Sequence, residues 1–351
     1  MTFQMPTTAL DIGSQSIKII EATGKEIKKI KKIGIELLPE DSISYDENKK
    51  TQMLIEVIKS ITKRLHITKL KRISIKIDSR DIITSKLNLD ISEISIEESV
   101  YNISEQYIDG SIEEYYYDFR ILNPEMNKEI TDVLFVATRK ETLNNYIDII
   151  KECGYKIGVA EIDFLSVLNS FYYNYGKTQN ITCLVNMGFT SSQIILLDEN
   201  EYCFSREIPV GGNQLTQSLA SSLEISEIEA EKIKLSISNK KTLLNEQTDL
   251  IFSDFINNFI SELGMTINFF LQSEDNTKNY ETVSNIFLTG GSCRTLGLAK
   301  KILESFECPT TILNPFKNFN MSDKIFSEVA ASAHVYGTAV GLSLRKFPLK
   351  F

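Results

Sequence analysis

One short pattern occurs twice in this chain, about half a chain apart, and it restricts the possible folds more than any other feature. The first copy reads Leu10-Asp11-Ile12-Gly13-Ser14-Gln15-Ser16-Ile17-Lys18-Ile19-Ile20. The second reads Leu184-Val185-Asn186-Met187-Gly188-Phe189-Thr190-Ser191-Ser192-Gln193-Ile194-Ile195. Each is an apolar run, an Asp or Asn, a Gly, small hydroxyl residues and a second apolar run, which predicts strand, tight turn, strand. Glycine permits the turn and lets backbone approach a ligand closely. The hydroxyls and backbone N–H groups then form a concave anion site. A plain hairpin turn would explain a single copy, because Asp and Gly favour turns. Two copies, heading two similar half-chains, predict a nucleotide clamped between duplicated domains.

Two Gly-Gly sequences extend the candidate site. Ile208-Pro209-Val210-Gly211-Gly212-Asn213 runs from a strand into a helix, and Thr289-Gly290-Gly291-Ser292 ends a strand before a helical pattern at Arg294–Phe306. A strand that opens into Gly-Gly at a helix start places N–H groups and a positive dipole end beside a ligand. Glu231 and Lys234 lie one turn apart and share a helix face. The candidate nucleotide-binding residues are therefore Asp11, Gly13, Ser14, Ser16, Lys18, Asn186, Gly188, Thr190, Ser191, Gly211, Gly212, Asn213, Glu231, Lys234, Gly290, Gly291 and Ser292. An ionised Asp11 at the end of a buried strand needs a compensating cation or hydrogen-bond donors. Mg²⁺ held through waters beside phosphates would compensate it. Lys18 either supplies positive charge to a phosphate or, on an alternating strand, points to solvent.

Composition narrows the class. A chain of 351 residues with 42% hydrophobic and 24% charged residues is ordinary for a globular protein of two or three domains. No apolar run approaches the roughly 20 residues that span a bilayer, and Met1–Pro6 has neither the basic start nor the apolar core of a signal peptide. Five cysteines without a C-x-x-C pair, and only His66 and His334 beside them, argue against zinc and for structural thiols in a reducing cytoplasm. The net charge of −9 is uneven: residues 1–80 carry 16 Lys and Arg against 10 Asp and Glu, and residues 81–179 carry 8 against 18. An acidic chain without interleaved aromatics and arginines is not built for nucleic acid. The basic cluster Lys25–Lys32 faces anionic lipid or an acidic partner, or else lies on an edge strand where lysines discourage pairing.

Hydrophobic periodicity gives the order of elements. Three strand-like runs between Thr7 and Leu38, a helix from about Lys50 to Leu65 and the alternating Arg72–Ile77 form a β-β-β-α-β unit. A strand at Ile82–Leu89, a helix at Ile96–Ile108, strands at Tyr115–Leu122 and Ile130–Ala137 and a helix at Lys140–Cys153 form an acidic module that Gly154 closes. Within it, Tyr115-Tyr116-Tyr117 alternates in orientation, as core plus exposed edge or as part of a peptide groove. A helix from about Phe164 to Tyr175 crosses to the second half. There, strands at 181–186, 191–197 and 202–208 precede helices from Asn213, Ser226 and Asp249. Strand 285–289, helix 294–306, strand 309–313 and one final helix at Phe326–Leu344 follow. Ser226 and Glu229 form a capping box. The small residues of the final helix, among them Ala339 and Gly341, suit either a close crossing of two hinge helices or a simple packing face.

The order Asp-Ile-Gly, Asn-Met-Gly, Gly-Gly, Glu-x-x-Lys, Thr-Gly-Gly resembles the actin-like ATPase superfamily, which includes actin, the hexokinases and FtsA. Phe204–Pro209, Ala230–Lys234, Asn314-Pro315-Phe316, and Val136–Glu141 leading into Gly154-Tyr155-Lys156 are similar to the PilM family of type IV pilus assembly proteins. That resemblance covers nearly the whole chain. It implies an α/β actin-like ATPase fold, two duplicated domains around a nucleotide cleft, with an FtsA/PilM-type inserted subdomain. Residues 1–80, with 154–178 and 325–351 as crossing helices, would form the first domain. Residues 81–153 would be the insertion and 179–324 the second domain, with a helical subdomain at about 213–275. ATP or ADP with Mg²⁺ would lie between the domains. Lys18 would reach the β- and γ-phosphates, and Glu231 and Lys234 would meet adenine and ribose unless they are an ordinary surface pair.

The same resemblance implies a cytoplasmic scaffold at the inner face of the cell membrane. It would bind the N-terminal cytoplasmic tail of a PilN-like membrane protein in a groove formed with the insertion. Contacts with the pilus motor ATPases and self-association stay open. Asn186 departs from the superfamily, which has an Asp there that orients Mg²⁺-bound water. An amide cannot accept a proton at neutral pH, so binding is expected to survive while hydrolysis is slow or absent. Two alternatives share the fold. An FtsA-like polymerising protein carries a C-terminal amphipathic membrane helix, for which Arg345–Phe351, broken by Pro348, is too short. A small-molecule kinase needs a sugar or acid pocket with a carboxylate base.

Overall fold

Each copy of the repeated pattern is a β-hairpin, and each hairpin heads a five-stranded sheet of the same construction. The first contains β1 (Thr7–Ile12), β2 (Ser16–Thr23), β3 (Lys29–Leu37), β4 (Arg72–Ile77) and β8 (Lys156–Ile162), in the order β3-β2-β1-β4-β8. The second contains β9 (Thr182–Met187), β10 (Ser192–Asp198), β11 (Glu201–Ile208), β12 (Asn285–Thr289) and β13 (Thr310–Ile312), in the order β11-β10-β9-β12-β13. In both, the hairpin strands pair antiparallel and the fourth strand joins the first in parallel. The molecule is described by a computed structural model covering residues 7–24, 28–39, 46–69, 71–78, 81–91, 94–122, 130–199, 201–273, 276 and 279–345, apart from the side chains of 201–203.

Helices cover these sheets where the apolar stripes require them. α1 (Glu47–Arg64) starts where the Asp46 carboxylate accepts from the Lys49 N–H, and it buries Met53, Leu54, Ile58 and Ile61. They pack on Leu10, Ile17, Ile19 and Ile75 of the first sheet. β5 (Ile82–Asp90), β6 (Tyr115–Ile121) and β7 (Ile130–Arg139) form an antiparallel sheet β5-β7-β6 that α2 (Ile96–Ser104) packs on through Val100, whereas α3 (Lys140–Glu152) puts Ile149 and Ile150 into the core of the first sheet. α4 (Asp163–Tyr175) leaves β8 and leads to the second sheet. There α5 (Gly212–Leu223), α6 (Glu227–Ser238) and the long α7 (Glu246–Leu271) follow β11. Phe252, Phe259 and Phe270 of α7 join Val185, Ile194 and Leu288 in the second core. The capping box is present: Ser226 Oγ accepts from the Glu229 N–H while the Glu229 carboxylate accepts from the Ser226 N–H. Cys153, Cys183, Cys293 and Cys308 are buried thiols.

Several local expectations change. The final helix is not continuous: it divides into α9 (Asp323–Val329), a 3-10 turn at Ala333–Tyr336 and α10 (Gly337–Leu344). The His334 carbonyl accepts instead from the Gly290 N–H at 2.9 Å and the Thr289 hydroxyl at 2.8 Å, so outside donors occupy the break. α8 (Leu298–Phe306) likewise begins well after Arg294. Gly297, at φ 87°, holds a left-handed conformation that a helix interior excludes. Tyr115-Tyr116-Tyr117 alternates as expected: Tyr115 is buried in the core that contains Phe135, Tyr117 lies against the Phe135 ring, and Tyr116 faces Lys140 and Asn144. Lys29, Lys31 and Lys32 follow the edge-strand expectation, since β3 is a sheet edge and Lys32 reaches the His66 carbonyl and Glu21, whereas Lys28 precedes the strand and is buried. Lys25–Ile27, Met1–Pro6 and the segment after Arg345 lie outside the described residues. Among the described residues no helix is long and apolar enough to cross a membrane.

Candidate functional site

The two hairpin turns face one cleft, and their geometry is shared. The Gly13 N–H donates to the Ser16 carbonyl at 3.0 Å, and the Gly188 N–H to the Ser191 carbonyl at 2.9 Å. A Cβ on either glycine would lie 3.0 or 2.8 Å from that same carbonyl oxygen, so both turns close only around glycine. In register, Asp11 stands opposite Lys18 in the first hairpin and Asn186 opposite Gln193 in the second. The duplication therefore extends to a pair of facing side chains, charged in one copy and uncharged amides in the other. Asp11 is buried, with Oδ2 3.6 Å from the Lys18 ammonium.

The cleft brings together Asp11, Gly13, Ser14, Ser16, Lys18, Asn186, Gly188, Thr190, Ser191, Gly290 and Gly291 of the expected set. It adds residues that pattern reading passed over, chiefly Lys76, Asp78, Asp163, Gln193 and Glu207. Gln193 had a usable signal, since it is offset from Asn186 as Lys18 is from Asp11. Lys76 is the penultimate residue of β4, one position after Ile75, which the parallel register with β1 sets beside Leu10, the residue before Asp11. Burial alone would lower the Lys76 pKa, yet the Asp11, Asp163 and Asp78 carboxylates outweigh it and hold the ammonium above its ordinary value.

Asp163 is the first residue of α4 and is buried. Its Oδ1 accepts from its neighbour's N–H at Phe164, 2.7 Å, and from Gln193 Nε2, 2.8 Å. That second bond joins the crossing helix to the second hairpin across the cleft. Burial pushes the Asp163 carboxyl up to about 6 against the opposing pull of Lys76 and Gln193. A carboxylate poised near neutral pH in a cleft can accept a proton from water.

The remaining expected residues stand behind the second turn. The Gly212 and Asn213 N–H groups donate to the Gly188 and Phe189 carbonyls at 3.1 and 2.7 Å, and Ser292 Oγ donates to Gly188 O at 2.9 Å. These donors hold the turn's carbonyls from the rear, where Gly211 also packs: a Cβ there would lie 2.4 Å from Phe189 O. α5 does begin at Gly212 as expected, whereas Gly290–Gly291 meets no helix start. Glu231 and Lys234 are not an open surface pair. Lys234 Nζ lies 2.6 Å from Glu231 Oε2 and donates to Gly212 O at 3.0 Å and Thr216 Oγ1 at 2.9 Å, and the Phe189 ring centroid is 5.4 Å away. Burial lowers the Lys234 pKa, and the Glu231 carboxylate opposes that shift.

A second concavity, of about 530 Å³, lies between α1 and α3 where β5 begins. Glu47, Asp81, Asp148 and Glu152 line it against Lys50, with Leu54, Ile55, Tyr146 and Ile149 as its apolar floor. Its size suits a ligand site, and its walls come from α1 and α3, which share the core of the first sheet.

A family described as type IV pilus assembly protein PilM matches residues 9–347. Among solved structures, a PilM-PilN type IV pilus biogenesis complex matches with a TM-score of 0.82 at 19% identity, over 97% of this chain and 98% of that one. Ethanolamine utilization protein EutJ from Carboxydothermus hydrogenoformans matches with a TM-score of 0.56 at 13% identity, over 98% and 90%. MreB5 of Spiroplasma citri bound to AMPPNP matches with a TM-score of 0.51 at 13% identity, over 93% and 97%. The fold is the actin-like ATPase fold.

Proposed function

The chain belongs to the PilM family of type IV pilus assembly proteins, and from that premise we propose that it is a nucleotide-binding scaffold of pilus assembly. ATP or ADP binds between the two duplicated halves, hydrolysis is slow or absent, and the tail of a PilN-like membrane protein docks on the first half. The protein then acts at the inner face of the cell membrane through that partner. Residues 1–80, 154–178 and 325–351 form one domain, 81–153 its insertion and 179–324 the other. One observation carries the nucleotide reading: two hydroxyl-rich turns with the same glycine-closed geometry line one cleft. Ser14, Ser16, Thr190 and Ser191 can donate to phosphate oxygens there, and Lys18 supplies positive charge.

Asp11, which lines the cleft with Asp78 and Asp163, is the residue that would meet magnesium through waters, an ion that needs only one or two carboxylates beside substrate phosphates. The Asp11 carboxylate also faces the Lys18 ammonium at 3.6 Å. The hydroxyls and backbone N–H groups of the two turns, with Lys18, carry the phosphate contacts, and Asp163 carries such water activation as there is. Thermal unfolding tests the nucleotide reading directly. ATP or ADP at 100 times its dissociation constant is expected to add about 2.7 kcal/mol of stability. Nucleotide-free protein that shows no shift with either ligand would remove it.

For the partner, the acidic concavity between α1 and α3 matches a tail that carries basic residues, since complementary charge guides such docking. A photoreactive tail peptide should cross-link to α1 and α3. Joint replacement of Asp148→Lys and Glu152→Lys should weaken its binding on the order of tenfold, or about 1.4 kcal/mol. Labelling confined to the second half of the chain would contradict this placement.

A further inference from the structure

The end of the first sheet that points away from the cleft is basic. β4 reaches the cleft at Lys76 and begins, at its other end, with Arg72, which the parallel register sets beside Lys156, the first residue of β8. The Lys156 N–H donates to the Lys71 carbonyl at 3.1 Å. The Lys69 side chain lies against Gly154, its Cδ 3.5 Å from where a Cβ would stand. Lys71 Nζ is 2.7 Å from Glu21 Oε2, and Lys32 Nζ, from β3, is 3.8 Å from the other oxygen of that carboxylate. Lys29 and Lys31 carry the face along the edge strand and are exposed, as are Lys69 and Lys156.

The charge here is in excess. Residues 28–33 hold four lysines, and residues 63–75 three lysines and two arginines, with no Asp or Glu in either stretch. Lys28 is buried and Arg64 is paired with Glu36 at 2.7 Å. For the rest, the carboxylate in these contacts is Glu21, which is buried and shared by two ammonium groups. Arg72 and Lys156, set side by side, repel, and an anion lying across them relieves that repulsion. The whole chain carries −9, so an anionic surface attracts it through a segregated basic face and repels it elsewhere. Lysine predominates, spread along a sheet edge and the starts of two strands, without the interleaved aromatics and arginines of a nucleic-acid face. The last turns of α1 and α3, with Lys63 and Lys151, also run towards this end, so a membrane protein's tail held between those helices would emerge beside it.

We propose that this end of the first sheet is a docking face for anionic lipid headgroups, so that the chain itself, and not only its membrane-protein partner, holds to the membrane surface. Each Lys or Arg close to an anionic leaflet adds roughly fivefold to affinity, and the attraction fades within a Debye length. The contact needs neither nucleotide nor tail peptide and is tested without them.

The test is co-sedimentation of the whole chain with vesicles of phosphatidylcholine alone and of phosphatidylcholine mixed with phosphatidylglycerol. Binding is expected to the mixed vesicles only, and it should be lost in about 1 M salt, where the Debye length is roughly 3 Å. Joint replacement of Lys69→Glu and Lys156→Glu should weaken it by about tenfold or more. Lys232→Glu with Lys241→Glu changes the net charge equally, on and just after α6, and should weaken it by less than about threefold. Equal losses in the two variants would mean that net charge alone directs binding, and would overturn the proposal. Binding to both kinds of vesicle alike, or to neither, would also overturn it. Should the Glu variant not fold, Lys69→Gln with Lys156→Gln removes the same two charges, and unchanged affinity there would count against the face. Capture by immobilised polyglutamate without vesicle binding would give the face to an acidic protein instead.

Discussion

Gly341→Ala is expected to be the most destabilising single-methyl change in this protein, costing about 3–5 kcal/mol or preventing folding. Gly341 sits in α10 where that helix meets α4, and a Cβ there would lie 1.6 Å from the carbonyl oxygen of Ser166. The obstacle is backbone, so no rotamer change can relieve it. The helices would have to separate, and that would loosen Ala339 and Val340, which pack beside Ile20 of the first sheet. Gly264→Ala in α7 provides the contrast. A Cβ there meets only the Phe306 ring at 3.8 Å, an ordinary contact. Gly in a helix interior costs roughly 0.5–1 kcal/mol relative to Ala, so this change should stabilise slightly. Equilibrium denaturation of both variants checks the pair. Near-equal effects would mean that the α4–α10 crossing is not as tight as described.

The second large effect concerns water activation. Asp163→Asn should reduce whatever single-turnover ATP hydrolysis the protein has by about 10²–10⁴-fold, the usual contribution of a positioned general base. The amide can keep the hydrogen bond partnership with Gln193 but cannot take a proton. Asn186→Asp should act in the opposite direction, about tenfold or more, because it puts a second proton acceptor on the cleft wall. Acidity gives an independent check. With the Asp163 carboxyl raised to about 6, the base is ionised above that pH and protonated below it, so the rate should fall as pH drops through about 6. An Asp163→Asn protein that hydrolyses at the parent rate would refute the assignment. An unchanged rate in Asn186→Asp would place the defect in other missing groups or in domain closure rather than in that side chain.

Both predictions depend on features that the sequence reveals unequally. The small residues of the last helix were visible, but two uses fitted them. Only the approach of Gly341 to Ser166 selects the close crossing. Asp11 and Asn186 were legible because each stands in a repeated local pattern. Asp163 and Lys76 belong to no repeat, and they reach the cleft through β8–α4 and the β1–β4 pairing respectively. The single final helix was misjudged for a related reason: donors at Thr289 and Gly290, some 45 residues earlier in sequence for the first of them, capture the His334 carbonyl.

Local chemistry by itself determined the two glycine-closed turns, the alternation of strands and helices and the family, since hydrophobic period, turn residues and caps act over a few residues. Tertiary structure alone decided which side chains share the cleft. It turned the Gly212 and Asn213 donors onto the neighbouring loop, drew Lys234 and Glu231 inward behind it, and brought Lys76 into the cleft with Asp11. Those outcomes depend on strand register and on the meeting of distant backbones, and a buried charge or amide takes whichever partner that meeting supplies.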